Sequence, residues 1–161
     1  MKTSIWGPHA WGFLFSSILG AYPIRIDANN KDHMKIMKAF QNMFKSLEYT
    51  LPCGYCRQSY KKFLHDIPLS NYSHSRQGMA QWLYLIHDRV NEKLIQQEKE
   101  CYEAEKIKLT VKKMSPTQLK NALKQLKSEI MKTKPSPPFE RVVALYEKQR
   151  AKCSKRTNRC A

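Results

Sequence analysis

Two cysteines separated by two residues, Cys53 and Cys56, stand directly behind Pro52 in the segment LPCGYC. The apolar spacing after them predicts a helix that runs to about Asp66. The unpaired amides and the dipole at the start of a helix favour a thiolate. The three-residue spacing also brings the two sulfurs within bonding distance. The pair is therefore suited to form a redox-active dithiol. The alternative is that it supplies two of the four ligands of a zinc site.

A structural zinc site needs four ligands at suitable spacing. The sequence has no second Cys-x-x-Cys and no His pair of zinc-finger spacing, and the loop between His65 and His74 is irregular for a closed site. A thioredoxin-type site needs a strand before the motif and a βαβ pattern around it, and both are missing. We therefore predict no metal site and a redox-active pair on a helical scaffold.

Three further cysteines lie beyond residue 100. Cys153 and Cys160 are close to the C-terminal end, in a basic polar stretch. They could carry a dithiol between a partner protein and the Cys53–Cys56 pair by exchange. The alternative, to which we give equal weight, is that the two thiols are unreactive or form a disulfide that only closes the tail. Cys101 has no evident partner, and its role stays open.

Helical spacing of apolar residues is common along the chain, and period-two alternation is scarce. We therefore predict an all-α protein: a four-helix bundle with a short extra helix and a helical C-terminal appendage. A serine followed by proline opens one later helix, and a proline-rich linker precedes the last one. The predicted helices of the bundle cover residues 8–22, 30–49, 53–66 and 75–100.

The net charge of +16 is unevenly distributed along the 161 residues. Residues 101–161 hold sixteen Lys/Arg against five Asp/Glu, so this part carries +11, and residues 1–100 carry +5. We expect 1–100 to form the core and 101–161 a basic appendage. Such an appendage could bind nucleic acid, an anionic membrane or an acidic partner, or be a solvated surface.

No apolar run is long enough for a signal peptide or a membrane span. We therefore expect a soluble, cytoplasmic protein with no membrane partner. In the helix that contains QWLYLIHDRVNEKL, His87 and Asn91 are four residues apart and share one face. The face is otherwise apolar, which indicates polar recognition of a ligand inside the bundle. A histidine satisfied within the core is the alternative.

Three motifs, WGPHAW, LPCGYC and WLYLIHDRVNEKL, follow one another over roughly residues 5–95. In this order they resemble the Erv/Alr-type FAD-linked sulfhydryl oxidases, and most of all the compact members encoded by large DNA viruses. The resemblance implies a four-helix bundle that holds FAD non-covalently in its mouth, usually as a homodimer. It also implies a flavin site built from aromatic and imidazole side chains. This agrees with the absence of a G-x-G-x-x-G motif from the sequence.

The resemblance also implies roles for single residues. Cys56 would lie against the isoalloxazine, and Cys53 would exchange with the shuttle or with substrate dithiols. Electrons would pass from the pair to the flavin and then to oxygen, giving hydrogen peroxide. The residues that would line the cofactor are His9, Trp11, Tyr22, His87, Val90 and Asn91.

Three positions differ from the family pattern. Phe15 stands where many members have a histidine, Asp88 replaces the asparagine after His87, and Gln96 replaces a lysine. A carboxylate at residue 88 can accept but cannot donate a hydrogen bond. These differences bear on FAD affinity more than on the thiol chemistry.

The sequence therefore predicts an FAD-dependent thiol oxidase that forms disulfides in substrate proteins. For a viral member the location would be the host cytoplasm and the virion. The main alternative is a non-enzymatic, basic helical protein with structural cysteines that binds nucleic acid or an acidic partner. Against nucleic acid, no aromatic residues alternate with Lys/Arg in the tail. A third hypothesis is an oxidase-like scaffold that has lost the flavin.

Overall fold

Helices dominate the protein in a computed structural model that describes residues 3–148. Over these residues no strand is present, and β-pairing is limited to one isolated bridge between Arg25 and Ser75. The predicted all-α class is confirmed. None of the helices in this range has the length and apolarity needed to cross a bilayer. The elements are α1 (Thr3–Ala21), α2 (Lys31–Thr50), α3 (Gly54–Asp66), a 3₁₀ turn (Leu69–Asn71), α4 (Arg76–Thr110), α5 (Pro116–Ile130) and α6 (Phe139–Lys148).

The first helix begins earlier than predicted, at Thr3 rather than at Pro8. A proline inside a helix removes one hydrogen bond and costs about 3 kcal/mol. The prediction was wrong at this end, since five helical residues precede Pro8. All of the buried side chains of α1 follow Pro8, so burial does not explain the earlier start. The buried side chains of α1 are Leu14, Phe15, Ile18 and Leu19.

The second and third helices form as their apolar spacing predicts. Asn30 caps α2 by accepting hydrogen bonds from the backbone N–H groups of Asp32 and His33, at 3.0 and 3.2 Å. The Tyr60 hydroxyl of α3 donates to the carbonyl of Phe44 in α2 at 2.9 Å, and this bond is buried. It fixes α3 against α2. The side chains of α2 that reach the core are Ile36, Met37, Phe40, Met43, Phe44 and Leu47.

One of two compact units contains the described residues up to His87 together with those from Pro137 onward. Trp82 of α4 is fully buried in its core. The indole lies edge-on to Phe44, with ring centroids 4.8 Å apart, and donates its N–H to the carbonyl of Ile67 at 2.9 Å. Trp82 thereby links α4 both to α2 and to the segment that follows α3.

The last helix, α6, belongs to the same unit and packs against α1. Tyr146 stacks on Phe15 with ring centroids 5.0 Å apart and planes 12° from parallel. Phe139 lies 5.5 Å from the ring of Tyr84, whose hydroxyl donates to the carbonyl of Pro137 at 3.0 Å. The division expected at residue 100 stays a prediction, and the compact units have different bounds.

The second unit spans Asp88–Ser136 and contains the rest of α4, the whole of α5 and the segment after it. Ser115 and Gln118 form a reciprocal capping box that starts α5, as the serine and proline in the sequence predict. The Glu98 carboxylate accepts hydrogen bonds from both the backbone N–H and the hydroxyl of Thr133. This clamp holds the segment after α5 on α4 within the unit.

Candidate redox site

Cys53 and Cys56 lie at the N-terminal end of α3. Cys53 is the N-cap residue: its backbone is extended, and its Sγ accepts a hydrogen bond from the Cys56 N–H at 3.3 Å. Both side chains are partly exposed. A sulfur at this position faces the unpaired amides and the positive end of the dipole of a thirteen-residue helix. The predicted start of a helix at the motif is confirmed.

The surroundings of Cys53 lower the pKa of its thiol. The largest cause is a hydrogen bond with the Cys56 side chain, followed by the hydrogen bond from the Cys56 backbone N–H, while partial burial acts in the opposite direction. A thiol with a lowered pKa leaves faster in thiol–disulfide exchange. The geometry therefore gives the two cysteines different roles, with Cys56 stabilising the thiolate of Cys53.

The turn that carries the pair is held on both sides. The Arg57 guanidinium donates to the carbonyl of Leu51 at 2.6 Å, and the Arg57 backbone N–H donates to the carbonyl of Cys53 at 3.0 Å. Arg57 thus bridges the residues before and after Pro52. Burial raises the pKa of Tyr60, so this tyrosine stays a neutral donor and keeps α3 in place. The two sulfurs are presented on a fixed turn.

We expect the Cys53 thiol to react with iodoacetamide at a lower pH than an ordinary cysteine, whose pKa is about 8.5. The Cys56→Ala variant should move the midpoint of this reaction to higher pH, because it removes the largest cause of the lowered pKa. The rate is followed by mass spectrometry of the Cys53 peptide. The exposed Cys101 in the same digest corrects for reagent depletion. Equal midpoints in the two proteins would contradict the assigned hydrogen bond.

Trp11 of α1 and His87 of α4 are the two predicted cofactor residues that a direct contact joins. Their ring centroids are 4.7 Å apart and their planes are 86° from parallel, an edge-to-face arrangement. Both side chains are half-buried. An indole and an imidazole in contact, each still partly accessible, form a wall suited to a planar aromatic ligand.

Tyr22 lies deeper than a ligand-lining residue usually does. It is fully buried, its ring lies edge-on to Phe40, and its hydroxyl donates to the carbonyl of Ser73 at 2.6 Å. Burial raises the pKa of Tyr22 to about 12. The Arg76 guanidinium donates to the Tyr22 carbonyl at 2.6 Å. The hydrogen bonds found here tie the end of α1 to the start of α4, and the cofactor role of Tyr22 stays a prediction.

The other predicted cofactor residues are in different surroundings. His9 is exposed on α1, and because it is two residues from Trp11 it points to another side of the helix. Val90 and Asn91 belong to the second unit, where both are half-buried. The Asn91 side-chain amide donates to the Ser136 hydroxyl at 2.9 Å. The contact with Ser136 could not be read from the sequence.

One further polar atom of α1 lies on a residue five positions before Trp11, on another side of the helix. Within residues 3–148 the buried indole N–H of Trp6 has no hydrogen-bond acceptor. A buried donor left without a partner costs about 1–3 kcal/mol, which a ligand oxygen would offset. These residue types are compatible with a flavin: the accessible Trp11–His87 pair suits its planar ring, and the Trp6 N–H could donate to an oxygen acceptor. In the sequence Trp6 is notable only as part of the WGPHAW motif, and nothing there indicates a donor without an acceptor.

Metal ligands and the cysteines beyond residue 100 are the remaining candidates for a functional site. No group of three or more His, Cys, Asp or Glu side chains in the described part of the chain is arranged to hold a metal ion. Cys101 is exposed on α4. Cys153 and Cys160 lie outside the described residues, so the shuttle stays a prediction.

Comparison with known proteins bears directly on the dithiol. The model of the Erv1/Alr family matches residues 8–112, a stretch that covers more than half of the chain and includes Cys53, Cys56 and His87. The crystal structure of the yeast Erv1 core is 23% identical, with 58% of this chain and 72% of that chain covered and a TM-score of 0.46. No curated protein matches. On the strength of the family match, the chain belongs to the Erv1/Alr family.

Proposed function

We propose that the protein is an FAD-dependent thiol oxidase that introduces disulfides into substrate proteins. The observation that carries the proposal is the Cys53 sulfur at the start of α3, hydrogen-bonded to Cys56 and with a lowered pKa. This arrangement occurs inside the stretch that matches the Erv1/Alr family. A thiol with a lowered pKa at the start of a helix suits a disulfide-forming enzyme.

The exchange starts from the oxidised pair. A substrate thiolate attacks the Cys53 sulfur, the Cys53–Cys56 bond breaks, and Cys56 leaves as a thiol. The second substrate thiolate attacks the substrate sulfur of the mixed disulfide and releases Cys53. Its low pKa makes Cys53 a good leaving group in this second step. Two electrons and two protons have then moved from the substrate to the cysteine pair.

Trp11 and His87 would hold the cofactor, with the Trp6 N–H as a further donor. Bound FAD supplies the acceptor for the electron pair of the Cys53–Cys56 dithiol and the route to oxygen, which becomes hydrogen peroxide. The imidazole of His87 offers a polar edge, and the indole of Trp11 limits the access of water to it. The cofactor roles of Val90 and Asn91 stay predictions from the sequence.

The oxidase activity is tested by oxygen uptake. Purified protein supplied with FAD should consume oxygen and release hydrogen peroxide when dithiothreitol is added. Trp11→Ala and His87→Ala variants should need more FAD for half-maximal rate. A protein that consumes no oxygen with dithiothreitol at any FAD concentration would refute the proposal.

The natural partners belong to the same proposal. We infer that substrate proteins with paired thiols are the electron donors and that the chain works as a homodimer. We also infer that it acts in the cytoplasm, which for a viral member means the host cytoplasm and the virion. The family match supports the first two points in general terms. Light scattering on the purified protein tests the dimer.

The Cys153→Ser/Cys160→Ser double variant tests the shuttle. If the tail carries electrons, the rate with a protein substrate should fall by about tenfold or more, because delivery from a tethered dithiol acts through a high effective concentration. The rate with dithiothreitol should not change, since a small dithiol reaches Cys53 directly. An equal loss of rate with both substrates, or no loss with either, would contradict a shuttle role for Cys153 and Cys160.

A further inference from the structure

The second unit carries a surplus of positive charge. Residues 111–134 contain seven lysines and one acidic residue, Glu129. The carboxylate of Glu129 accepts a hydrogen bond from the side-chain amide of Gln125 at 2.9 Å. Seven lysines against one carboxylate give this segment a net charge of +6.

In the preceding helix, α4, two lysines are neutralised by ion pairs with nearby glutamates. Near the end of α4, Lys106 pairs with Glu103 at 2.9 Å, and Lys108 pairs with Glu105 at 2.6 Å. The two pairs have the i, i+3 spacing that neutralises charge on a solvated helix surface. Residues 111–134 have seven lysines but one carboxylate, so this segment cannot neutralise its charge in the same way.

Three lysines of α5, which we name the basic stripe, are Lys120, Lys124 and Lys127. Their spacing of four and three residues places them on one face of the helix. All three are exposed, and none has an ion-pair partner within residues 3–148. A separate stripe of α5 provides the half-buried side chains Leu119, Leu123, Leu126 and Ile130.

Large apolar side chains are exposed where α4 ends. Ile107 and Val111 are one helical turn apart and are 65% and 79% exposed. Lys112 and Lys113 follow directly, in the connection to α5. Apolar side chains next to lysines are the combination that enters the boundary between headgroups and acyl chains of a bilayer.

We propose that Ile107, Val111 and the basic stripe dock on an anionic phospholipid surface, which departs from the sequence-based expectation of no membrane partner. The lysines would meet lipid phosphates and carboxylates, and Ile107 and Val111 would be buried among the upper parts of the acyl chains. Residues 107–134 contain no aromatic residue and no arginine, the side chains that stack on bases or grip phosphates in two places. A nucleic acid would also leave the two exposed apolar side chains without a role. The surface is independent of the oxidase chemistry.

The test is co-sedimentation of the full chain with phosphatidylcholine vesicles, with and without phosphatidylserine. We expect binding only to the vesicles that contain phosphatidylserine, and weaker binding as salt is raised. Each lysine near an anionic surface contributes about 1 kcal/mol, or about fivefold in affinity. Replacing all three residues of the basic stripe with glutamine should therefore weaken binding on the order of 100-fold. The Ile107→Ser/Val111→Ser variant should weaken it by about tenfold.

The matched control removes three charges from exposed positions of α2: Lys31→Gln, Lys38→Gln and Lys45→Gln. It has the same net charge as the basic-stripe variant and should bind the vesicles nearly as well as the unaltered chain. Circular dichroism checks that all variants keep their helices. Equal losses in the two triple variants would show an effect of overall charge and overturn the proposal. The absence of binding to phosphatidylserine vesicles, or binding to duplex DNA alone, would overturn it as well.

Discussion

The Cys56→Ser variant is expected to lose turnover with dithiothreitol by about a thousandfold or more, because a serine cannot form the disulfide that accepts substrate electrons. Cys53→Ser should lose as much. The two variants differ in one spectroscopic property. If Cys56 is the inner sulfur, any long-wavelength band from a thiolate beside the flavin should persist in Cys53→Ser and vanish in Cys56→Ser.

The matched control for both variants is Cys101→Ser. Cys101 is exposed on α4, away from the dithiol turn in sequence, and its replacement should leave turnover unchanged. Turnover is measured by oxygen uptake on FAD-saturated protein. A Cys56→Ser protein that works at the rate of the unaltered chain would remove Cys56 from the reaction. A thiolate band that survives in Cys56→Ser and disappears in Cys53→Ser would exchange the two roles.

The Trp82→Ala variant is expected to lose about 3–5 kcal/mol of unfolding free energy. Trp82 is fully buried, lies edge-on to Phe44 and donates to the carbonyl of Ile67. Its removal leaves a cavity between α2 and α4 and takes the donor from that carbonyl. Because His87 is five residues further along α4, we also expect weaker retention of FAD. Urea denaturation followed by circular dichroism gives the stability.

Two controls separate the causes of this loss. Trp82→Phe keeps most of the ring and should cost less than the alanine variant, because it mainly removes one hydrogen bond. Tyr49→Ala removes an aromatic side chain that is 74% exposed and should change stability by about 0.5 kcal/mol or less. If Trp82→Ala were no more destabilising than Tyr49→Ala, the core described around Trp82 would be wrong.

The helices that the sequence predicts best are those whose signals are local. Asn30 caps α2, Cys53 opens α3, and Ser115 with Gln118 starts α5, and each of these signals lies within four residues of the helix it begins. At the start of α1 the local signal misleads: Pro8 suggests a first helical position, yet the helix begins five residues earlier, at Thr3.

The contacts of α6 show what local reasoning cannot supply. The surplus of positive charge in residues 101–161 predicts an appendage there, and that division stays a prediction. Within the first unit, Tyr146 stacks on Phe15 and Phe139 packs on Tyr84. Contacts between residues more than fifty positions apart leave no periodic signal in one sequence. They also account for one difference from the family pattern, since Phe15 is a core residue and its apolar ring has a partner here.

The candidate site divides in the same way. The Cys-x-x-Cys spacing and the helix start are local, and they predict the turn on which Cys53 and Cys56 lie. The contact between Trp11 and His87, the unmet N–H of Trp6 and the bond from Asn91 to Ser136 depend on how distant segments pack. The resemblance pointed to Trp11 and His87 as neighbours of one cofactor, and the structure adds their direct contact.

Whether the Cys53–Cys56 dithiol passes electrons to bound FAD is tested most directly by visible absorption. The spectrum of the purified protein is recorded without oxygen, before and after dithiothreitol is added. We expect flavin bands that bleach with dithiothreitol and return when air is admitted. The Cys53→Ser/Cys56→Ser double variant should keep the bands but not bleach. A protein that stays colourless after incubation with FAD, or whose flavin bleaches equally fast without the two cysteines, would contradict this electron transfer.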